Sequence, residues 1–512
     1  MASEQPTSPD RDDAARRDAA LALPARVATA VVGAVAALAG SYAAAGSTPD
    51  FVVAPVNAFV VNTSPASLVA FSIQTLGHLD DLLAFALSVA LTLLLFALAV
   101  AVGLDAGRRT SVPLASAGVA ALAVWALAAA LTRRPAAALA TALPAAVVVV
   151  LVTRLSTPAP DRSTVRRRVL LAAAGTVGFG ALAALAGGLR TLPPGEEMAP
   201  PADAARLADQ ARAKELADVG DVPGLVSPIG EFYRVDIDSI DPMLDAGQWT
   251  LTVTGAVDDE LALSYADLRA MDAATKFKTL RCVGEGLNDR LMGNAVWTGV
   301  PLADILARAV PGGDCGCVIL RAADGYYEEF PLAALRTGFL AYGMNGASLP
   351  RAHGYPVRAL VPGHWGEINV KWLTEIEILE REATGYWEER GWHGTGPVNT
   401  VAKLWGVERR DDGTVVLAGH AYAGTRGIER VDVSTDDGST WTDAVLSDPL
   451  DPADVLGARD AWRQWRYAWT PDPGSHRVVV RATDGTGTVQ SGEDAAAFPN
   501  GASGRVRRTI DV

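Results

Sequence analysis

The sequence predicts a multi-domain chain with an α-helical transmembrane region at the N-terminus, an α+β domain, and an all-β sandwich at the C-terminus. At 512 residues the chain is too long for one hydrophobic core. Alanine, valine and leucine dominate up to about Gly188, and later residues have the mixture of an ordinary globular protein. From about Gly396 short β-like runs alternate with turn residues. We therefore predict a membrane region, a linker, an α+β domain and a β sandwich at residues 1-190, 191-224, 225-395 and 396-512.

The membrane region contains five apolar runs that we predict to be transmembrane helices, since a hydrocarbon layer is about 30 Å thick. They lie near Leu23 to Ala45, Leu82 to Leu104, Val112 to Leu131, Ala136 to Val152 and Val169 to Leu189. The fourth run is short and contains Pro144, which makes it the least secure of the set. Between the first two runs, an apolar stretch is broken by Pro55 and Pro65, which favours an interfacial or re-entrant segment over a solvated loop.

Arginine placement predicts the orientation, because cytoplasmic loops carry an excess of Lys and Arg. The arginines precede the first run, follow the second and precede the fifth: Arg11, Arg16, Arg17, Arg26, Arg108, Arg109, Arg154, Arg162, Arg166, Arg167 and Arg168. All fall on one side if five helices alternate, and only Arg133 and Arg134 depart from this pattern. We therefore predict a multi-pass cell membrane protein with a cytoplasmic N-terminus and an extracytoplasmic region after about Arg190.

Charge and histidine content exclude two classes of partner. The formal net charge is −14 and no basic face is visible, so no nucleic acid is expected as a partner. His78 is the only histidine of the membrane region, so no bis-histidine haem can form within one subunit. Electrons that leave through the membrane would therefore need another subunit or a quinone.

Two of the three cysteines, Cys315 and Cys317, form a C-x-C pair. A disulfide between residues two apart is strained, so we predict two structural thiols at the start of a strand. Zinc is disfavoured, because no second cysteine pair or suitably spaced histidine pair lies nearby.

The region after the linker mixes strand and helix patterns without regular βαβ alternation, which is typical of an α+β fold. "GQWTLTVTGAV" alternates apolar and polar residues as a half-buried strand does, "SYADLRAM" has the pattern of a capped helix, and "FKTLRCVG" predicts a strand that ends at Cys282. Beyond Gly396, runs such as "TVVLAGHAYAG" and "GSHRVVVRATDGTGTVQS" predict the strands of a sandwich. Its tryptophans are expected to be core and rim residues, and nothing in it has the pattern of a catalytic group.

Cys282 differs from a core cysteine in its surroundings. A turn with Gly284, Glu285, Gly286 and Asn288 follows it, and glycine allows backbone to approach a ligand closely. Downstream, "YGMNGASLPRAHGYPVRALVPGHWGEINVKWL" brings one histidine and two cations into a short segment punctuated by Gly and Pro. Such a set suits an anionic cofactor better than a hydrophobic core.

These segments carry a family resemblance. "LRCVGE", "GNAVWTGVPL", "ADGYYEEFPL", "YGMNGASLPRAHGYPVRALVPG" and "VKWL" resemble, in order and spacing, the molybdopterin-binding domain of the sulfite oxidase family. The C-terminal region, with "AYAGTRGIERVDVSTDDGSTW" and "WRQWRYAW", is similar to the Ig-like dimerisation domain of that family. The resemblance covers roughly Leu225 to Val512, so it leaves the membrane region without an assigned role.

The resemblance implies a role for individual residues. Cys282 would be the thiolate bound to molybdenum, and a soft sulfur of low pKa suits such a metal. Tyr326, with Tyr327 as the rival choice, would hydrogen-bond substrate beside the metal, and Arg234 would face the oxyanion. The remaining cofactor-binding positions implied, together with Arg234, are Phe232, Tyr233, Asp324, His353, Arg358, Asn369, Val370 and Lys371. Asp324 could equally be a turn residue before Gly325.

Departures from the family pattern weaken the expectation of sulfite as substrate. Animal-type sulfite oxidases carry histidine and asparagine after the arginine, where this chain has Val235 and Asp236, and a further arginine before "VKWL", where this chain has Glu367 and Ile368. An oxyanion site requires converging cations. Oxidation of sulfite or a similar small oxyanion stays the leading function, and reduction of a sulfoxide by the same kind of site is the alternative.

The resemblance also implies partners and an export route. No haem domain precedes the core, so a separate electron carrier is expected: a cytochrome, a quinone or a membrane subunit. The tail suggests a homodimer, although related proteins with similar tails are monomeric. The cofactor is assembled in the cytosol, which favours twin-arginine export, and "RRRVLL" fits that route. A receptor or adhesion protein is an alternative from another class, but it does not need a cysteine beside a cationic segment. A transporter is a further alternative, which the near absence of charge within the apolar runs disfavours.

Overall fold

The computed structural model describes residues 9–65, 68, 72, 79–108, 114–154, 162–190, 202–217, 220–450 and 459–512. The described residues form two compact units, a helical unit at the N-terminal side and a larger unit that contains the remainder. His78, Arg109 and the first part of the predicted linker, 191–201, lie outside the described residues.

The helical unit contains six described helices: α1 Pro9–Ala45, α2 Ala54–Thr63, α3 Leu79–Arg108, α4 Ala115–Thr132, α5 Ala138–Arg154 and α6 Arg162–Arg190. Each of the five predicted runs therefore contains one of these helices, although the described part of the third run begins at Leu114 and the helix of the fourth begins at Ala138. Four helices contain stretches long and apolar enough to cross a membrane: Leu23–Ala45, Leu82–Ala106, Ala115–Thr132 and Val169–Leu189. The apolar part of α5, Ala138–Thr153, is shorter, so the predicted count of five spans is not reproduced.

Small residues let these helices pack closely, as is common between helices in membranes. A Cβ added to Gly103 of α3 would lie 2.5 Å from the Cβ of Ala120 of α4. The segment between the first two spans contains the short helix α2, with Pro55 in its first turn, where proline is tolerated. The short stretch 238–243 also belongs to this unit, because Ile240 packs in its core and the N–H of Ser239 donates to Oδ1 of Asn57 at 3.3 Å.

The larger unit includes the described residues of 65–77 and, further along the chain, helix α7, Ala202–Lys214, which is followed by an α+β domain. The strands of that domain are β1 Thr250–Gly255, β2 Leu261–Ser264, β3 Ala274–Arg281, β4 Met292–Pro301, β5 Cys317–Ala322, β6 Tyr327–Pro331, β7 Phe339–Met344, β8 Ala347–Ser348, β9 Arg358–Leu360 and β10 Leu373–Leu379. One sheet has the order β2-β1-β10-β5-β6, with β1 and β10 parallel, and the other has the order β3-β4-β7-β8, with β9 beside β7. The mixed sheet agrees with the α+β prediction.

Three short helices complete this domain: α8 Tyr265–Ala270, α9 Leu302–Ala309 and α10 Leu332–Leu335. Ser264 caps α8, since its side chain accepts from the N–H of Asp267 and the Asp267 carboxylate accepts from the N–H of Ser264. Helix α9 buries Leu302, Ile305 and Leu306 on one face, as its spacing of apolar residues requires. This face packs with the interior of the mixed sheet to form the main core.

The C-terminal part of this unit is all β. Its strands are β11 Val401–Ala402, β12 Gly406–Arg409, β13 Val415–Tyr422, β14 Ile428–Ser434, β15 Thr442–Asp443, β16 Val445–Leu446, β17 Arg463–Trp469, β18 Ser475–Asp484 and β19 Val506–Asp511. They form two antiparallel sheets, β11-β13-β17-β16 with β12 beside β13, and β15-β14-β18-β19. Leu417 and Trp465 of the first sheet share a core with Val433 and Val480 of the second, so the sheets pack face to face.

The C-x-C pair differs from the sequence prediction of two thiols. The sulfur atoms of Cys315 and Cys317 are joined as a disulfide, and the two Cα atoms are 5.2 Å apart. Such a separation lies inside the usual range for disulfides. Gly316 between them has φ +64°, a left-handed conformation that glycine adopts readily, and this turn brings the two side chains together.

Candidate active site

Cys282 directly follows β3 and begins the glycine-rich turn, as the sequence predicts. Its N–H donates to the carbonyl oxygen of Leu291 at 3.0 Å, which extends the pairing of β3 with β4 by one residue. The thiol has no disulfide partner and the residue is only 9% exposed. A buried, unpaired sulfur therefore stands at the end of a rigid strand.

Burial is the main reason why the pKa of the Cys282 thiol is raised to about 12, and the carboxylates of Glu285 and Glu367 act in the same direction. The low pKa expected from the sequence is therefore wrong for the metal-free thiol, because burial opposes its charged form. A metal bound at the sulfur would displace this proton, since coordination stabilises the thiolate.

A buried network of charges lies beside Cys282. The Nε of Arg281 donates to Oε1 of Glu285 at 2.6 Å, and the Nζ of Lys403 lies 2.7 Å from the same oxygen. None of these three side chains is exposed. The sequence indicated only a flexible turn here, because Lys403 is far away along the chain and no local pattern connects it to Glu285.

Arg358 supplies the buried cation of the predicted cofactor site. Its two terminal nitrogens donate to the carbonyl oxygens of His353 at 3.1 Å and Asn369 at 2.9 Å. Burial lowers its pKa to about 10, so the side chain stays charged at neutral pH. Its Nε is buried and has no hydrogen-bond partner. A buried cation with an unused donor is suited to an anionic ligand.

His353 and Lys371 lie close to this cation. Nε2 of His353 is 3.2 Å from the carbonyl oxygen of Ile229, so Nε2 is the donor. Burial, followed by the charge of Arg358, lowers the pKa of His353 to about 4, and the ring is neutral at pH 7. Lys371 forms an ion pair with Asp236 and its Nζ donates to the carbonyl oxygen of Ala352 at 3.3 Å. Asp236, one of the departures from the family pattern, therefore neutralises part of the positive charge.

The three consecutive residues Phe232, Tyr233 and Arg234 have different surroundings. Phe232 is in the core, where its ring meets those of Trp297 at 5.7 Å and His353 at 5.5 Å. Burial and then the Cys282 charge raise the pKa of Tyr233 well above its usual value. The Arg234 side chain is 51% exposed and its guanidinium is 4.0 Å from Oδ2 of Asp236. Only Tyr233 and Arg234 therefore present polar groups toward the site.

The side chains of Asn369 and Val370 make their contacts within the protein, because Asn369 hydrogen-bonds the backbone and Val370 packs in the core. Oδ1 of Asn369 accepts from the N–H of Val361 at 2.8 Å, and its Nδ2 donates to the carbonyl oxygen of Trp365 at 2.7 Å. Val370 is 1% exposed and belongs to the main core. These two residues therefore shape the loop that carries Lys371.

Tyr326 precedes β6 and is 9% exposed. Its hydroxyl is 2.9 Å from Oε2 of Glu328 and 2.9 Å from the carbonyl oxygen of Glu367. Oδ1 of Asp324 accepts from the N–H of Tyr326 at 2.9 Å, which is the geometry of a turn, and burial raises the pKa of Asp324 to about 6. The rival Tyr327 is more exposed and hydrogen-bonds Glu389.

The residues present fit a molybdenum pterin cofactor, as shown by the unpaired thiol of Cys282 and the unpartnered Nε of Arg358. Cys282 would hold the metal, and Arg358, His353 and Lys371 would hold the pterin and its phosphate. The cofactor, when bound, supplies two-electron redox chemistry with oxygen-atom transfer. The chain supplies burial, orientation and charge.

Comparison with known proteins identifies two domains in the chain. Residues 238–387 match the family model described as an oxidoreductase molybdopterin binding domain, and residues 399–497 match a Mo-co oxidoreductase dimerisation domain. Phe232, Tyr233 and Arg234 lie before the first match.

Relatives include sulfite oxidase of Arabidopsis thaliana, 28% identical over 52% of this chain and 83% of that protein, and mitochondrial sulfite oxidase of Rattus norvegicus, 30% identical over 49% of this chain and 54% of that protein. The chain thus spans only about half of the rat relative. The uncharacterized oxidoreductase YuiH of Bacillus subtilis (strain 168) is 34% identical over 30% of this chain and 76% of that protein.

Among solved structures, the sulfane dehydrogenase SoxCD of Paracoccus pantotrophus matches with a TM-score of 0.47 and 22% identity, over 57% of this chain and 83% of that chain. The two domain matches and the sulfite oxidase relatives confirm the resemblance drawn from the motifs. This chain belongs to the sulfite oxidase family of molybdopterin-dependent oxidoreductases.

Proposed function

We propose that the chain is a membrane-anchored molybdenum oxidoreductase that oxidises sulfite or a similar small oxyanion by oxygen-atom transfer. The observation that carries the proposal is the unpaired, buried Cys282 just after β3, together with a second buried group, Arg358, that has an unused donor; the charges of both residues act on the buried Tyr233. Arg234 would bind the substrate oxyanion from the exposed side, because charge-assisted hydrogen bonds to an oxyanion are strong. Tyr326 would orient the substrate through its hydroxyl.

Replacing Arg234 by Gln tests the oxyanion site. We expect kcat/KM for sulfite to fall roughly 10-fold to 100-fold, because a charged donor is replaced by a neutral one. The measurement is sulfite-dependent reduction of an artificial electron acceptor by purified, molybdenum-loaded protein. Arg336→Gln, which changes an exposed arginine of the same domain, is the matched control. Equal kcat/KM in wild type and Arg234→Gln would remove this role.

Sulfoxide reduction is the second candidate. The observation that favours it is the low positive charge around the site: Glu367 replaces the family arginine and is buried, and Asp236 forms an ion pair with Lys371. A sulfoxide is neutral and needs fewer converging cations than sulfite does. Activity with sulfoxides and a reduced dye, with none for sulfite, would select this alternative, and loaded protein without either activity would leave the substrate class open to broader screening.

The proposed topology places the α+β and β domains outside the cell membrane, with twin-arginine export of the folded, loaded domain. Ends on opposite sides require an odd number of spans, so this proposal includes the shorter apolar helix α5 as a fifth span beside the four longer ones. The arginine distribution supports this orientation. We expect protease added to intact spheroplasts to cleave the region after residue 202 while a tag before α1 stays protected. Protection of both ends would contradict this orientation.

The proposed partners are a separate electron carrier, such as a cytochrome, a quinone or a membrane subunit, and a second copy of the chain. The match of residues 399–497 to a dimerisation domain supports the homodimer. Two antiparallel sheets packed face to face support an Ig-like sandwich for this domain.

A further inference from the structure

Three glutamates from distant parts of the chain meet beside Tyr326. Glu328 lies on β6, Glu367 on the short helical turn Gly366–Ile368, and Glu388 on the turn Glu388–Arg390. One carboxylate oxygen of each lies within 4.8 Å of the others. Glu328 is fully buried and Glu367 is 8% exposed. We call Glu328, Glu367 and Glu388 the carboxyl cluster.

The carboxyl cluster has no cation to balance it. In the part of the chain that the structure describes, the carboxylate oxygens of Glu367 and Glu388 are buried. The contacts of the Glu367 carboxyl are the Glu388 carboxyl and the backbone of Gly394, and neither carries a positive charge. Arg390, the cation on the Glu388 turn, instead stands 3.5 Å from the ring centroid of Tyr386 and 4.0 Å from Oε2 of Glu389. Three adjacent carboxylates buried without a counter-charge are very unfavourable, so hydrogen atoms or a cation must neutralise them.

The contacts of Tyr326 indicate that bound hydrogen atoms, and not a metal cation, neutralise the carboxyl cluster. Its hydroxyl has one hydrogen, yet it lies 2.9 Å from two oxygens, Oε2 of Glu328 and the carbonyl oxygen of Glu367. The carbonyl oxygen can only accept, so it takes the phenol hydrogen. The second contact is then a hydrogen bond only if Glu328 is protonated and donates to the phenol oxygen. The other oxygen of Glu328 accepts from the N–H of Glu329 at 3.2 Å, so both oxygens of this carboxyl are engaged in hydrogen bonds.

We infer that the carboxyl cluster is a proton-holding site, and that it exchanges protons with the reaction centre through the hydroxyl of Tyr326. This inference rests on the proposed function. When one oxygen atom of water is added to a substrate, two protons and two electrons are released, and reduction of a sulfoxide consumes the same number. The electrons pass to or from the separate cytochrome or quinone. The protons need an acceptor or donor inside the protein in both directions.

Charge and position agree with this role. Burial, followed by the neighbouring carboxylates, raises the pKa of Glu328 and of Glu367. The titratable groups that face the carboxyl cluster are Tyr326 and, beyond Glu367, the Cys282 thiol. Glu388 as a residue is half-buried although its carboxylate oxygens are buried, and the next residue, Glu389, is exposed. Glu388 is therefore the member of the cluster that lies nearest in the chain to an exposed residue. Glu328 and Glu388 are positioning residues, because they act through Tyr326.

Infrared spectroscopy of the loaded protein at pH 7 tests the inference. Protonated carboxylic acids have a C=O stretching band, separate from carboxylate bands, that moves when H2O is replaced by D2O. We expect such a band in wild type, a smaller one in Glu328→Gln and in Glu388→Gln, and no change in Glu389→Gln, the exposed neighbour. Glu388→Gln keeps the test valid if Glu328→Gln does not fold. A spectrum without any such band would overturn the inference.

Activity and metal content provide the second readout. We expect kcat of Glu328→Gln to fall roughly 10-fold to 100-fold with KM unchanged, below the contribution of a direct general acid or base, and its pH profile to shift. Stoichiometric Ca²⁺, Mg²⁺ or Mn²⁺ in dialysed wild type that is lost in Glu328→Gln would overturn the inference in favour of a cation site. An infrared band in protein without activity on sulfite or sulfoxide would uphold proton storage and reject the proposed function instead.

Discussion

Cys282→Ser is expected to abolish turnover while the protein stays folded. Cys282 is the only unpaired cysteine in the chain, since Cys315 and Cys317 form a disulfide. A serine oxygen is a harder and poorer ligand than sulfur for the bound metal. Mutation of a residue that hydrogen-bonds a metal ligand reduces metal affinity or activity by about 10-fold to 100-fold. Loss of the ligand itself should therefore reduce kcat by more than about 100-fold.

Three measurements on the same detergent-purified samples check this prediction: molybdenum and pterin content, the electronic spectrum of the metal, and the thermal unfolding midpoint. The double variant Cys315→Ser/Cys317→Ser is the control, because it removes the two disulfide-bonded sulfurs, which follow α9 in the chain, and leaves Cys282 in place. It should keep the molybdenum spectrum of wild type. An unchanged metal spectrum in Cys282→Ser would show that the sulfur is not a ligand. Folded protein lacking molybdenum and pterin in both wild type and variant would leave the receptor alternative.

Glu285→Gln is expected to give the largest loss of stability in the site. Oε1 of Glu285 contacts both Arg281 and Lys403, and none of the three side chains is exposed. Without the carboxylate, two buried cations lose their counter-charge, and breaking a buried pair in this way costs about 3–5 kcal/mol. Urea unfolding followed by tryptophan fluorescence measures it well, because of the 12 tryptophans only Trp125 precedes residue 190.

Lys403→Met provides the matched comparison. This change leaves Arg281 and Glu285 as a balanced pair, so we expect a much smaller loss of unfolding free energy, even though the hydrogen bond from Lys403 to the carbonyl oxygen of Asp289 at 2.7 Å is also lost. The double variant should be more stable than Glu285→Gln alone, because one unpaired cation has been removed. A larger loss for Lys403→Met than for Glu285→Gln would contradict this account.

Local sequence pattern was sufficient to predict those features that depend on residues close together in the chain. Local pattern predicted helices in the apolar runs, the capped helix α8 and the strand before Cys282, because helix and strand periodicity and capping act over a few residues. Strand β3 ends one residue earlier than predicted, at Arg281. The motifs around Cys282 and Arg358 were also specific enough to indicate the family. Of the five predicted spans, α5 is the one whose apolar helix is shorter than the other four.

The remaining features depend on contacts between distant residues. Only the tertiary structure brings Lys403 to Glu285, and the turns of Glu367 and Glu388 to Glu328. Burial, which the sequence of the turn does not reveal, decides that the thiol of Cys282 is protonated when no metal is bound. The sequence alone therefore determined the order of the helical, molybdopterin-binding and β-rich regions and the family, and it indicated Cys282 as the proposed metal ligand. The tertiary structure decided the protonation and the partners of its charged groups, because desolvation and electrostatics depend on what surrounds a group in space.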